Sequence, residues 1–311
     1  MRRKNFLETE QRISFYSFIS LWFIGFLLFQ IIPILWGFKV SLTNQMAFTV
    51  NVKYVGLANY QKLLTDAGFW YSLYTTFIYS IYNSVIQVAI GLFLALLLEK
   101  NIFGKDFFQV AFYLPYVIPI VATGWIFRLF LDKNIGLLNT FLEYLHLFSD
   151  RVNWMGTFPL LSILLANVWR VGWSLLIFIG GLSTIPQDLY DAAEVDGCGR
   201  FRMIRVITLP FLSPFIVFQL IVSFIYSYQV FILPYILNPN PLREAQLTQQ
   251  TGLPKQTFFI LARGYSTVFD KGRLAYGFAM LWITFLFILV FSLFFMKTLN
   301  KATYTEMETK L

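Results

Sequence analysis

The chain has 311 residues, of which 58% are hydrophobic, 20% aromatic and only 13% charged. A soluble globular protein carries about twice that share of charged residues. Its single cysteine, Cys198, excludes an intrachain disulfide, and together with the single histidine, His146, leaves no cluster for a metal site or for nucleophilic catalysis. No nucleotide-binding loop is present either, so we expect that this chain does not hydrolyse ATP by itself.

Six apolar stretches along the chain are long enough to cross a bilayer. A span needs roughly 20 mostly apolar residues, because each adds about 1.5 Å against a hydrocarbon core of about 30 Å. The predicted spans are 13–42, 70–98, 107–131, 158–183, 209–237 and 275–296. The first run follows a basic N-terminus, but it is too long for a signal peptide and lacks a cleavage site, so it is interpreted as a retained helix. The sequence therefore predicts an all-α polytopic membrane protein with six transmembrane helices.

The distribution of Lys and Arg predicts the orientation of these spans. With a cytoplasmic N-terminus, the inner segments hold 12 basic residues and the longer outer segments hold 9. The inner segments are then 1–12, 99–106, 184–208 and 297–311. Both termini are expected in the cytoplasm, and the net charge of +8 is explained by inside-facing basic residues rather than by nucleic-acid binding.

Polar side chains recur at membrane depth in spans two to five, where such groups usually face the bundle interior or a cavity. In span two, Asn83 and Gln87 share one helical face, and we interpret them as contacts between helices. The candidates for a translocation pathway lie in spans three, four and five: Tyr116, Asn167, Arg170, Trp173, Ser174, Tyr226, Ser227 and Gln229. Aromatic rings with nearby hydroxyl and amide groups suit sugars. The alternative is that these residues bond to neighbouring helices or to a second membrane subunit.

Arg170 is the charged member of this set. An arginine near the centre of a span needs a partner or water. It is expected to contact an anionic or heavily hydroxylated substrate, or alternatively to pair with an acid on another subunit, since the spans of this chain offer no well-placed acid.

The densest charge cluster of the chain lies between spans four and five, in the segment 184–208. Pro186 and two early acids predict a helix over 186–196, ended by Gly197 and Gly199 in the left-handed conformation. A second short helix is expected over 200–207. A short helix with paired alanines suits the groove of another protein, and a solvated connecting loop is the alternative.

The stretch DAAEVDGCGRFRMIRVITLPFLSP in this segment resembles the EAA loop of the membrane subunits of binding-protein-dependent ABC importers. Asp191 stands where the family has Glu, and Ala192, Ala193 and Gly197 match its other positions. Weaker matches in the right order resemble the carbohydrate branch of these importers, with its maltose-transporter-like and glycerol-3-phosphate-transporter-like permeases. These are YVGLANY at 54–60, FYLPYVIP at 112–119, GLLNTFL at 136–142, VNWMG at 152–156, STIPQDLYDAAEVDG at 183–197, YQVF at 228–231 and GYSTVF at 264–269.

The resemblance implies the type I ABC importer (MetI-like) permease fold, with 1–12 as a cytoplasmic N-terminal segment and 13–311 as a single transmembrane permease domain. It implies a coupling helix that docks on an ATP-binding subunit through Asp191, Ala192, Ala193 and Gly197, while Glu194 and Asp196 contact that partner or solvent.

It also implies the partners of the chain: a second, different permease subunit, two ATP-binding subunits that carry ATP and Mg, and an extracytoplasmic solute-binding protein. This chain would bind no cofactor, would not be an enzyme, and would lie in a bacterial or archaeal cell membrane. Its substrate would be a sugar or oligosaccharide, or alternatively an anionic solute such as glycerol phosphate or an acidic oligosaccharide. A membrane scaffold without transport activity has no use for a coupling helix.

Overall fold

The computed structural model describes residues 2–99, 103–147, 150–237 and 259–299. These residues are mostly helical, and their one extended pairing is an isolated antiparallel bridge between Thr43 and Tyr54. The helices are α1 Arg2–Phe26, α2 Ile32–Ser41, α3 Ala58–Leu64, α4 Ala67–Leu98, α5 Lys105–Val117, α6 Ile120–Phe130, α7 Leu137–Tyr144, α8 Trp154–Thr157, α9 Pro159–Val168, α10 Gly172–Leu182, α11 Gln187–Val195, α12 Arg200–Met203, α13 Leu209–Tyr228, α14 Ile232–Leu237, α15 Ile260–Tyr265 and α16 Leu274–Leu299. Three π-helical turns, Leu27–Ile31, Ile204–Thr208 and Ser266–Asp270, join or extend them.

Four helical stretches within the described residues are long and apolar enough to cross a membrane without interruption. They are Ser14–Ser41, Ala67–Leu98, Arg200–Tyr228 and Leu274–Lys297. Two further spans are possible only as bent pairs, α5 with α6 at 96° and α9 with α10 at 47°. The predicted spans three and four, 107–131 and 158–183, correspond to these two bent pairs, so each is interrupted by a bend.

The sharper bend, between α5 and α6, is caused by Pro119. Proline has no N–H to donate, and its ring disfavours the helical conformation of the residue before it. Ile118 is accordingly extended, with φ −62° and ψ 130°. Pro115 lies within α5 and leaves that helix intact, so only one of the two prolines interrupts the span.

The bend between α9 and α10 contains no proline. Here the backbone hydrogen bonds join residues three apart, as in a tighter helical turn. The N–H of Arg170 donates to the carbonyl of Asn167 at 2.9 Å, and the N–H of Val171 donates to the carbonyl of Val168 at 3.1 Å. The side chain of Gln87, on α4, reaches across and donates to the same Asn167 carbonyl at 2.5 Å. A contact from a distant helix therefore supports the turn.

The start of span five also differs from the prediction. Instead of a separate helix over 200–207, α12 continues through the π-helical turn Ile204–Thr208 into α13. Pro210 cannot donate a backbone hydrogen bond, and the wider turn before it accommodates this loss without ending the helix. The span stops at Tyr228, short of the predicted 237, and α14 is separate.

Among the described residues, 2–66 and 264–283 form one compact unit. Within it, α2 packs on the start of α16 through ring pairs, with Trp36 against Phe278 at 5.7 Å and Phe38 against Trp282 at 5.0 Å between centroids. Buried Asn59, on α3, donates to the carbonyls of Ser41 and Thr43 at 2.8 and 2.7 Å. These contacts anchor the segment that follows the first span.

The second unit comprises the described residues of 67–263 together with 284–299, and it contains two apolar cores. The first core is built around Tyr79, Phe127, Trp154, Ile163, Leu233 and Phe259. The second core consists of Val88, Ala95, Leu98, Leu175, Phe178, Leu182, Ile185 and Leu212. Next to the second core, α4 and α10 approach closely at Gly91, where an added Cβ would lie 2.5 Å from the Cβ of Ser174.

Candidate functional site

A cavity of about 560 Å³ lies in the second unit, between α4, the two bent helix pairs and α13. All eight residues predicted for a translocation pathway line it: Tyr116, Asn167, Arg170, Trp173, Ser174, Tyr226, Ser227 and Gln229. Tyr226 reaches only its rim, because 73% of that residue is exposed. Polar side chains from four separate spans therefore meet in one space.

One wall of the cavity is an aromatic platform. The rings of Tyr116, on α5, and Trp173, on α10, stack with centroids 5.8 Å apart and planes 24° apart. The two helices approach closely because Gly172 lies between them: an added Cβ would be 2.6 Å from the Cα of Tyr113 and 2.8 Å from the carbonyl oxygen of Phe112. Any larger residue at position 172 would separate the two rings.

Arg170 holds the broken end of α5. The last carbonyls of a helix have no partner within it, and at membrane depth such groups must be satisfied by protein or by a cavity. Nη1 of Arg170 donates to the carbonyl of Ile118 at 2.8 Å and to Oγ1 of Thr123 at 3.1 Å, and Nη2 donates to the carbonyl of Tyr116 at 3.3 Å. The guanidinium also lies over the Tyr116 ring, 5.5 Å from its centroid. Within the described residues, the partners of Arg170 are thus two backbone carbonyls, one hydroxyl and one aromatic ring, while a contact with a substrate or with an acid on another subunit stays a prediction.

The opposite wall is a set of amide and hydroxyl groups bonded to one another. Asn83 donates to Oγ of Ser227 at 2.7 Å, and the side chain of Asn167 donates to the hydroxyl of Tyr79. Gln219 donates to Oγ of Ser174 at 2.5 Å. Asn83 and Gln87 make the contacts between helices that were predicted for them, and both also line the cavity.

Three polar lining residues, Tyr79, Gln219 and Ser223, were missed from the sequence. Gln219 and Ser223 precede Ser227 by eight and four residues, so helical periodicity alone could have placed them on the same face of α13. Oδ1 of Asn83 and Oε1 of Gln219 are buried and have no hydrogen-bond partner among the described residues. These two oxygen atoms can therefore each accept a hydrogen bond from a molecule bound in the cavity.

The predicted helix in the charged segment exists as α11, with Pro186 as its N-cap residue. It ends as expected at Gly197, which has φ +72°, and the N–H of Cys198 donates to the carbonyl of Ala193 at 2.8 Å. Gly199 was expected to be left-handed as well, but its φ is −65°. Gly199 instead precedes α12 in an extended conformation. Gly197 is thus the one left-handed glycine at the end of α11.

The side chains of α11 are mostly exposed. Asp191, Ala192, Glu194, Asp196 and Gly197 are exposed, whereas Ala193 is partly buried. Within the described chain, the acids of this segment form no salt bridge with Arg200, Arg202 or Arg205. The cluster predicted to face a partner protein is therefore solvent-accessible, except at Ala193.

The described residues contain no group of three or more His, Cys, Asp or Glu that could hold a metal ion. His146 is exposed at the end of α7, and its Nδ1 lies 3.0 Å from the carbonyl oxygen of Glu143.

Comparison with known proteins agrees with this architecture. The family described as "Binding-protein-dependent transport system inner membrane component" matches residues 87–303. The trehalose/maltose transport system permease protein MalF of Thermococcus litoralis is 30% identical over 275 residues, which cover 87% of this chain and 88% of that protein. The arabinooligosaccharides transport system permease protein AraP of Bacillus subtilis is 33% identical over 231 residues, covering 72% of each chain.

Among solved structures, the chain is similar to one from a bacterial ABC transporter involved in the import of the acidic polysaccharide alginate. The TM-score is 0.75 at 21% identity, with 97% of this chain and 100% of that chain covered. A structure of the alginate transporter in complex with an alginate pentasaccharide-bound periplasmic protein gives a TM-score of 0.76. This similarity confirms the predicted all-α importer permease fold, while the location of the termini stays a prediction. The chain therefore belongs to the family of inner membrane components of binding-protein-dependent transport systems, and it is a multi-pass permease subunit rather than an enzyme.

Proposed function

We propose that this chain forms half of the translocation channel of an ABC importer for a sugar or oligosaccharide. The observation that carries the proposal is the cavity, whose aromatic platform faces a wall of amides and hydroxyls. Stacked rings offer apolar faces to the C–H groups of a sugar, and the polar wall offers partners to its hydroxyls. The names of the relatives, which include trehalose, maltose and arabinooligosaccharides, support this class of substrate.

The coupling residues in this proposal are Asp191, Ala192, Ala193, Glu194, Asp196 and Gly197. The exposure of most of α11 supports docking in a cleft of an ATP-binding subunit, where charges set register and partner choice. The assembly contains a second, different permease chain, two ATP-binding subunits that carry ATP and Mg, and an extracytoplasmic solute-binding protein. It lies in a bacterial or archaeal cell membrane, with both termini of this chain in the cytoplasm.

An anionic substrate, such as an acidic oligosaccharide, is the second candidate. It is favoured by Arg170, the one charged side chain among the described residues that line the cavity. The name of the alginate transporter, which shares the fold, points the same way. The bonds of Arg170 to the carbonyls of Tyr116 and Ile118 and to the hydroxyl of Thr123 count against it, since they already occupy three of the five guanidinium N–H donors.

The first test is purification of the tagged chain from its native membrane in mild detergent, followed by mass spectrometry of the co-purifying proteins. We expect an ATP-binding subunit and a second permease. A chain that purifies alone, stable and monodisperse, would contradict the proposal.

The second test is uptake into proteoliposomes that contain the assembled importer, with its solute-binding protein added. Maltotriose, arabinotriose and an alginate trisaccharide serve as probes of the two substrate classes. Tyr116→Ala should lower uptake at least tenfold while ATP hydrolysis continues, because it removes half of the platform. Tyr82→Ala, at an exposed position of α4 that does not line the cavity, is the matched control and should transport normally.

A further inference from the structure

The exposed helix α11 has one aromatic side chain that turns toward the rest of the second unit. Tyr190 is partly buried and packs against the second core. Ala193, one turn later on the same face, is also partly buried, whereas the other residues of α11 are exposed. On the opposite side, Val195 is 89% exposed. Tyr190 is therefore the residue of α11 that packs against the second core.

The hydroxyl of Tyr190 is also engaged. Its oxygen lies 2.9 Å from Oγ1 of Thr208, a buried residue at the end of the π-helical turn that leads into α13. Burial of the ring raises the pKa of Tyr190, the hydrogen bond with Thr208 lowers it, and the carboxylate of Glu99 raises it further, for a net increase. The phenol accordingly keeps its proton at neutral pH and can act as a hydrogen-bond donor.

The link from Tyr190 leads to the cavity. Thr208 immediately precedes α13, whose residues Gln219, Ser223 and Ser227 form part of the cavity wall. The second core, on which the Tyr190 ring lies, contains residues of α4, α10 and α13. The connection before α11 also reaches this core through Ile185, whereas the connection at 196–199 after it is not helical and contributes none of the residues of that core.

We propose that Tyr190 is the positioning residue that transmits movements of α11 to span five, through its hydroxyl contact with Thr208 and its ring contact with the second core. This inference rests on the proposed coupling role of α11 and names the residue that connects it to the cavity. Evidence for a transmission route must show coupling between the two sites and not only proximity. Two measurements would test this coupling.

The first measurement tests the connection in the full-length chain alone. In a Cys198→Ser background, spin labels at Leu97→Cys and Glu194→Cys report the distance between the end of α4 and α11; both native side chains are exposed. We expect one narrow distance distribution that becomes broader in Tyr190→Phe and in Thr208→Val. The double variant should be no broader than Tyr190→Phe alone, because that substitution already removes the hydrogen bond with Thr208. Tyr144→Phe, at an exposed tyrosine on α7, is the control.

The second measurement tests transmission in the importer co-purified with its ATP-binding subunits. Val222→Cys, which lines the cavity, is alkylated with a membrane-impermeant maleimide, with and without ATP and vanadate, in the same Cys198→Ser background. Nucleotide should change the alkylation rate of the protein that retains Tyr190. In Tyr190→Phe this change should fall about fivefold, the factor that corresponds to the loss of one hydrogen bond, although the ATP-binding subunits still co-purify.

An unchanged distance distribution together with an unchanged response to nucleotide in Tyr190→Phe would overturn the inference. Loss of the ATP-binding subunits from that variant would overturn it too, because Tyr190 would then act in docking. If the unsubstituted importer contains no ATP-binding subunit, or its cavity does not respond to nucleotide, the proposed function fails instead. The distance distribution then still decides whether Tyr190 holds α11 in place.

Discussion

Arg170 lies where two bent helices meet, and most of its hydrogen bonds go to the backbone. Two of its acceptors are carbonyls on either side of Val117, where α5 ends, and the third is the hydroxyl of Thr123 on α6. A planar guanidinium can serve several such acceptors at fixed angles, which a lysine ammonium does less well. The residue thereby fixes the position of Tyr116, on which its guanidinium also rests.

This arrangement predicts a stability effect that a pure substrate ligand would not show. Arg170→Met should lower the free energy of unfolding by roughly 2–4 kcal/mol, because two backbone carbonyls and a hydroxyl at membrane depth lose their partner. Arg170→Lys should recover part of that loss. The measurement is denaturant unfolding of the purified chain in detergent micelles.

Arg128→Met is the matched control for this prediction. Arg128 lies near the end of α6, where its guanidinium is 4.9 Å from the centroid of the Trp125 ring. Arg128 is partly buried and the Trp125 ring is exposed; a cation–π contact contributes about 0.5–2 kcal/mol depending on its desolvation, so the control should lose less than Arg170→Met. Equal stability of the Met variants at both positions, with weaker solute binding only at position 170, would assign Arg170 to the substrate instead.

Asp132 gives a prediction about pH at a site outside the spans. Its carboxylate accepts the N–H groups of Ile135 and Asn134, and these two bonds lower its pKa below the ordinary value of 3.8. A group whose pKa is lower in the folded state stabilises that state above its unfolded pKa, and the effect disappears as the pH falls through the folded pKa. Asp132→Asn should therefore be less stable than the parent chain at pH 6, and the difference should shrink as the pH falls below the ordinary value of 3.8. A difference that stays constant as the pH is lowered through this range would contradict this account.

At the scale of the elements, the contact between α5 and α10 depends on Gly172. A methyl group there would meet the backbone of Phe112 and Tyr113, which cannot rotate away as a side chain can. Gly172→Ala should lower the free energy of unfolding by about 1–3 kcal/mol, the usual cost of overpacking, and should weaken substrate binding by separating Tyr116 from Trp173. Both effects can be measured on one preparation, by denaturant unfolding and by uptake.

Gly180→Ala, in the same helix, is the control for this prediction. No atom lies within 4 Å of an added Cβ at position 180, so the substitution should be neutral or stabilising by up to about 1 kcal/mol. If Gly172→Ala behaved in the same way, the close approach of α5 and α10 would not be a constraint on the platform.

The same helices show how far a sequence can predict this fold. The spans were predictable because a long apolar run is a local signal, and the ends of spans one, two and six lie within a few residues of the predicted ones. The bends were harder to predict, because residues of other helices support them: Arg170 bonds to Ile118 beside the bend at Pro119, and Gln87 bonds to Asn167 at the other bend. Of two prolines in span three, nothing local indicated that Pro119 would interrupt the helix and Pro115 would not.

The cavity was easier to predict than the helices that bound it. A polar group in a span is costly in lipid and turns inward, so the eight candidates line the cavity even where the predicted helix boundaries were wrong. The bonds among the polar residues were beyond prediction, since they join residues as far apart as Asn83 and Ser227. Gln219 was missed although its spacing from Ser227 contained the signal.

At the scale of the whole molecule, the predicted topology places the segment 184–208, which contains Cys198, in the cytoplasm. It places α7, which contains Tyr144, on the outer side of the membrane. A membrane-impermeant thiol reagent applied to inside-out vesicles should label native Cys198, and the same reagent applied to right-side-out cells should not. Tyr144→Cys in a Cys198→Ser background should show the opposite pattern. Labelling of both positions from the same side would exclude the proposed orientation.

The π-helical turn Ile204–Thr208 has a consequence for insertions and deletions. Such a turn holds about one residue more than an α-helical turn, and each α-helical residue rotates the chain by about 100°. Deletion of Val206 would therefore restore an ordinary helix and leave residues 200–205 in nearly the same orientation relative to the polar face of α13, whereas deletion of one residue from the α-helical part of α13 before Gln219 would rotate them by about that angle. The angular relation between the segment 184–208 and the cavity wall should thus tolerate a one-residue deletion inside the π-helical turn but not one in the α-helix that follows it.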